Sequence, residues 1–131
     1  MRVFSGGLYC FASLVLFAFC AYSQKLSMNE RCVSDYKAAY DNYMNGNYSS
    51  SLEGFSDFLS RYPQKDNPFS EQAFFYRAAA SHALTNADAD VLLSDFIRQY
   101  PQSLYLNKAS FLLADFYSNA GKFERALEVY K

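Results

Sequence analysis

The side chains that most often perform catalysis are few in this sequence, and they do not cluster. His82 is the only histidine, and no cysteine or carboxylate accompanies it at the spacing of a metal site. Cys32 has no partner at the spacing of a redox or catalytic pair. Asp88 and Asp90 are explained by a helix start, where carboxylates favour the positive end of the helix dipole. We therefore predict no catalytic residue, no metal site, no cofactor and no enzymatic activity.

Aromatic side chains, by contrast, are abundant, with 12 Tyr and 13 Phe among 131 residues. Such side chains contribute to partner binding or to core packing, because an aromatic ring buries a large area with few rotamers. Lys+Arg 12 against Asp+Glu 13 gives a net charge of -1, which argues against a nucleic-acid binder. A hydrophobic content of 51% argues against wholesale disorder.

The first 23 residues have the pattern of a secretory signal peptide. Arg2 precedes an apolar run over residues 8–22, which is shorter than the ~20 residues of a membrane-spanning helix. Small residues at Ala21 and Ser23 predict cleavage after Ser23, and residues 24–33 then form a short lead-in. An uncleaved anchor is the alternative. Lipidation at Cys20 is a minor one, because the bulky Phe19 precedes it.

The rest of the chain contains an internal repeat. Residues 57–64 read DFLSRYPQ and residues 95–102 read DFIRQYPQ, an offset of 38. A second pair relates NGNYSSSL to AGKFERAL, and its glycines, Gly46 and Gly121, lie 75 residues apart. Two independent pairs thus indicate one period.

Within each repeat the apolar spacing is helical and predicts no sheet. We predict helices over residues 29–45, 48–61, 70–84, 88–98, 104–120 and from 123 onward. Gly46 should end a helix in a left-handed conformation, and Pro63 and Pro101 should stop helices. Ser70 and Ser103 are predicted as N-caps.

These residues resemble the tetratricopeptide repeat. The positions that match its structural slots are Gly46, Tyr48, Leu52, Phe55, Phe58, Pro63, Phe96, Pro101, Gly121, Phe123, Ala126, Leu127 and Tyr130. The middle repeat departs from the pattern, with Thr85 in the glycine slot and Ala87 in the aromatic slot. Ser51 replaces the usual small alanine of the first repeat.

The resemblance implies an all-α, right-handed solenoid of antiparallel helical hairpins over residues 34–131. Its repeats would cover about 34–63, 70–101 and 104–131, the last one truncated, so the chain is predicted to be a fragment of a longer array. The segments after each Tyr-Pro pair are similar to those of the bacterial cell-envelope branch, which includes proteins associated with outer-membrane assembly and with Tol-Pal.

That family binds protein or peptide partners in a concave groove lined by the first helix of each repeat. The residues implied to line it here are Tyr36, Tyr40, Tyr43, Phe75, Ala79, His82, Phe111, Asp115 and Ser118. The same aromatic side chains are also explained by packing between repeats. The predicted function is a non-catalytic interaction scaffold of the periplasm or outer-membrane periphery, with no nucleic-acid partner. Membrane contact is expected only through the leader or an associated complex. A glycan- or peptidoglycan-binding module and a purely structural segment are the alternatives.

Overall fold

A computed structural model describes Val15, Gln24 and residues 28–62 and 67–131. The chain divides into two units, Met1–Ser34 and Asp35–Lys131. In the first unit residues 28–34 are helical, and Cys32 is buried. The predicted leader, its cleavage site and Pro63 lie outside the described residues, apart from Val15 and Gln24 at single positions.

The described residues form helices and turns, with no strand among them. We number the helices α1 (residues 28–44, of which 35–44 belong to the second unit), α2 (Tyr48–Arg61), α3 (Ser70–Ala83), α4 (Ala89–Gln99), α5 (Leu106–Asn119) and α6 (Phe123–Glu128). The end of α1, both ends of α2 to α5 and the start of α6 agree with the predicted ones within two residues. The all-helical prediction is therefore confirmed for the described residues.

Consecutive helices from α2 to α6 pack against each other, and α3 also contacts α5. This order of contacts is that of a helical repeat, in which neighbouring units share one continuous core. The largest fully buried side chains form that core: Phe55, Phe58, Phe75, Leu93 and Phe96. No described helix has the length and apolar content needed to cross a membrane.

Small residues bring α1 and α2 close together. A Cβ atom on Gly54 would lie 3.0 Å from the Cβ of Ala39, so a larger side chain there would push the helices apart. Ser51, in the slot where the family has alanine, is fully buried. Its hydroxyl donates a hydrogen bond to the carbonyl oxygen of Ala39 at 3.0 Å, which offsets the cost of burying a polar group.

The helices pair into three hairpins, α1–α2, α3–α4 and α5–α6. The three turns inside these hairpins share one backbone geometry. Gly46, Thr85 and Gly121 have φ angles of 77°, 56° and 72°. The residue after each donates its N–H to the carbonyl oxygen five residues earlier. The N···O distances are 2.9 Å for Asn47, 3.1 Å for Asn86 and 2.8 Å for Lys122. This is the bond that closes a helix with a left-handed residue. Thr85 therefore adopts the glycine conformation at a steric cost.

The predicted N-caps are wrong in detail. Ser70 is the first residue of α3, and its buried hydroxyl has no hydrogen-bond partner among the described residues. Ser103 lies three residues before α5, where its hydroxyl accepts the N–H of Tyr105 at 3.0 Å. Asn67 holds the equivalent position before α3, and its side-chain oxygen accepts the N–H of Phe69 at 2.9 Å. A short turn thus precedes both α3 and α5, and Asn67 and Ser103 cap these turns.

Replacing Thr85 by Gly is expected to stabilise the protein by about 0.5–1 kcal/mol, because it relieves a left-handed backbone that disfavours β-branched residues. Gly46→Ala should destabilise it by about 1 kcal/mol through the backbone alone, since nothing lies within 4 Å of the added Cβ. Urea unfolding followed by circular dichroism measures both changes. A loss of stability in Thr85→Gly would contradict the strain assigned to this turn.

Candidate partner-binding groove

Tyr36 on α1 connects the first hairpin to the second. Its ring lies 5.8 Å from that of Phe55 and of Phe58, and it stacks on Phe69 at 4.8 Å. Its hydroxyl donates to Oε1 of Gln72 at 2.7 Å. Burial, followed by the nearby tyrosine hydroxyls, raises the pKa of Tyr36 to about 12. Tyr36, predicted to line the groove, is therefore mainly a packing residue.

Tyr40, Tyr43 and Tyr76, which we call the tyrosine face, link α1 to α3. The Tyr76 ring lies 5.0 Å from the ring of Tyr40 and 5.0 Å from the ring of Tyr43, in both cases edge to face. Burial, and then hydrogen bonds to Tyr40 and Tyr105, raise the pKa of Tyr76. Burial also raises the pKa of Tyr43. Tyr40 and Tyr43 remain partly exposed, and the contacts with Tyr76 orient both rings.

Phe75 does not line an accessible surface, which corrects its predicted placement. It is 0% exposed and stacks on Tyr105 at 4.6 Å, with Phe96 at 5.6 Å. Ala79 is buried as well. The neighbouring Tyr76, which the sequence reasoning missed, turns to the tyrosine face instead. Adjacent residues on a helix differ in direction by about 100°, so Phe75 packs on α4 through Phe96 while Tyr76 packs on α1.

The structure brings together His82 and Asp115, which were predicted from two different repeats. His82 Nε2 lies 3.0 Å from Oδ2 of Asp115 and so joins α3 to α5. Asn119 Nδ2 donates to the same carboxylate oxygen at 3.0 Å. The Asp115 side chain is 41% exposed, so the carboxylate has room for a further donor from solvent or a ligand. Ser118 on the same helix is also exposed.

Phe111 is 60% exposed, in contrast to its counterparts in the earlier repeats. The residues at the structural positions implied by the family resemblance also differ in how far they are buried. Tyr48 and Leu52 are half-buried, Phe55, Phe58, Phe96 and Ala126 are buried, and Pro101, Phe123, Leu127 and Tyr130 are exposed. The aromatic and leucine residues at these positions of α2 and α4 are thus buried or half-buried, whereas Phe123, Leu127 and Tyr130, in and just after α6, are exposed.

Nothing in the described part of the chain has the arrangement of a metal centre, since no group of three histidine, cysteine or acidic side chains lies together. The Asp35 carboxylate, beside an open cleft of about 190 Å³ between α1 and α2, accepts hydrogen bonds from Arg61 at 2.7 Å and Tyr62 at 2.8 Å. These contacts tie the end of α2 to the middle of α1.

No family model, curated protein or solved structure matches this chain.

Tyr36 makes the stability of the protein sensitive to alkali. The unfolded chain loses the tyrosine proton near pH 10, whereas the folded protein keeps it to about 12, so stability falls as the pH rises through this window. Tyr36→Phe should make that fall shallower. At neutral pH it should cost about 1 kcal/mol, because Gln72 loses its donor.

Urea unfolding at several pH values between about 7 and 12 measures this effect, within the range where the tyrosines titrate. Tyr130→Phe, which changes an exposed tyrosine, is the matched control. An equally steep alkaline loss in Tyr36→Phe and the wild type would show that Tyr36 is not the group responsible.

Proposed function

We propose that this chain is a non-catalytic protein–protein interaction module with the tetratricopeptide type of fold, in which α1, α3 and α5 form the binding groove. The observation that carries the proposal is the row of partly exposed side chains on these helices, from Tyr40 and Tyr43 to the His82–Asp115 pair. Each is held by another side chain of the protein.

The fixed orientation of the partly exposed tyrosine rings supports a role in partner binding in addition to packing. Tyr43 lies edge to face between Tyr48 and Tyr76, at 5.4 Å and 5.0 Å. A ring that is already ordered loses little entropy when a partner contacts it, and tyrosine offers both an apolar face and a hydroxyl. The Asp115 carboxylate adds an acceptor for a lysine, an arginine or a backbone N–H of the partner.

A defined test uses a displayed library of random peptides selected on the wild-type protein. Tyr43→Phe keeps the ring and removes the hydroxyl of a partly exposed tyrosine, so the affinity of selected peptides should fall about fivefold at a temperature where both proteins are folded. Asp115→Asn should weaken the basic peptides most. The matched control is Tyr130→Phe, which removes one hydroxyl from an exposed tyrosine beyond the end of α6.

Equal affinity for the wild type and the groove variant, or an equal loss in the control, would contradict a binding role for this face. The chain would then act as a structural segment of an array. Co-sedimentation with purified peptidoglycan that depends on Tyr40 and Tyr43 would instead favour the glycan-binding alternative.

We also propose that the protein works outside the cytoplasm, in the cell envelope, on the basis of the leader pattern in residues 1–23. The native protein, recovered from fractionated cells, should then have Gln24 as its first residue, because a signal peptidase cleaves after Ser23. N-terminal sequencing and intact mass measurement check this. A native protein that retains Met1 would contradict cleavage.

A further inference from the structure

The cleft between α1 and α2 has two carboxylates in its wall. Its volume is about 190 Å³, and it lies within the unit Asp35–Lys131. Arg61 and Tyr62 donate hydrogen bonds to the Asp35 carboxylate. Asp57 is exposed, and no hydrogen bond or ion pair joins its carboxylate to another described residue. The other residues of the wall include Ala38, Asn42 and Gly54.

The first and second hairpins correspond residue by residue. Their turns align at the left-handed residues Gly46 and Thr85. Their second helices align through the shared motif of residues 57–64 and 95–102. This register pairs the residues of the cleft with residues of the second hairpin: Asp35 with Phe74, Ala38 with Arg77, Gly54 with Leu92 and Asp57 with Asp95.

In the second hairpin an arginine of α3 occupies this place. The guanidinium carbon of Arg77 lies 4.5 Å from the centroid of the Phe74 ring, and its Nε atom is buried. Burial lowers the pKa of Arg77, while the carboxylates of Asp88 and Asp95 oppose that shift by favouring the charged form. Arg77 is therefore within electrostatic range of Asp95, the counterpart of the carboxylate that has no partner in the first hairpin.

The first hairpin keeps this carboxylate and lacks the arginine. Ala38 and Gly54 are much smaller than Arg77 and Leu92, so the space between the two helices stays open. Among the charged residues of the cleft, Asp35 and Arg61 compensate each other, whereas the charge of Asp57 is uncompensated. A cation is thus the complementary ligand.

We propose that this cleft binds the side chain of an arginine from a partner protein, with its guanidinium against Asp57 and Asn42. A guanidinium presents five N–H donors in a planar fork that matches a carboxylate bidentately, and Asn42 offers an amide oxygen as a further acceptor. The apolar stem of the arginine lies on Ala38 and Phe58. None of these residues belongs to the groove, so the inference does not depend on the proposed function.

The probe is the peptide acetyl-Gly-Arg-Gly-amide, and its binding is followed through the backbone amide resonances of Gly54 and Asp57 in the 15N-labelled protein. These resonances should shift saturably at probe concentrations of about 1–10 mM. The same peptide with citrulline, which has the shape of arginine without its charge, should bind at least tenfold more weakly.

Asp57→Asn should weaken binding of the arginine peptide about tenfold, because it removes the charged acceptor. Glu124→Gln, which makes the same change of charge at an exposed residue of α6, is the matched control and should leave binding unchanged. No saturable shift in the wild type, the result expected if another part of the same chain fills the cleft, would overturn the proposal. So would equal binding of the citrulline peptide or by Asp57→Asn.

A second variant tests whether the arginine lies in this cleft. Ala38→Arg gives the first hairpin the residue that the second hairpin has at Arg77, and Ala38 is exposed, so the helix tolerates the change. Ala38→Arg should abolish binding of the arginine peptide, while Ala38→Ser should retain it. Undiminished binding by Ala38→Arg, with the rest of its spectrum unchanged, would overturn the proposal.

Discussion

The structure depends on the aromatic stack between one hairpin and the next. A pair of helices cannot bury its own apolar face, so each unit of a helical repeat needs a neighbour. Here the neighbour contributes a ring at a fixed position, Phe69 on Tyr36 and Tyr105 on Phe75. The turns ahead of α3 and α5 hold these rings, through Asn67 and Ser103. The position of each hairpin is thus determined by a turn of a few residues.

The left-handed turns inside the hairpins are the second constraint, because they bring the second helix of each unit back along the first. The middle turn achieves this with Thr85, at an unfavourable φ of 56°. The surrounding contacts maintain it: the buried Ser81 hydroxyl donates to Asp88 at 2.7 Å, and Ala78, Ala79 and Ala80 are at most 2% exposed. Packing thus compensates for a residue that the local conformation disfavours.

The sequence predicted the helices closely, because their ends are marked by residues with strong backbone preferences. Gly46 and Gly121 stand where the chain turns, and their spacing revealed the repeat. The orientation of individual side chains was harder to predict. Phe75 and Tyr76 are adjacent and both buried, but Phe75 packs on Phe96 and Tyr76 packs on the tyrosines of α1, and the apolar spacing did not distinguish these two directions. Ser70 and Ser103 have the composition of caps, but the short turns that precede the helices were not visible in the apolar spacing. Residues 1–23 are left as a prediction.

The tyrosines of α1 show how one helix serves packing and binding together. Tyr36 of α1 contacts α2 and the turn before α3, and its hydroxyl donates a hydrogen bond to Gln72. Tyr40 and Tyr43, four and seven residues later, contact Tyr76; Tyr40 also stacks on Tyr36 and Tyr43 contacts Tyr48, yet both retain exposed area. Since a buried Tyr76 orients both rings, the core itself prepares the surface offered to a partner. Because the Tyr40 hydroxyl bonds to this same Tyr76, removal of the Tyr43 hydroxyl distinguishes binding from packing more clearly than removal of a ring.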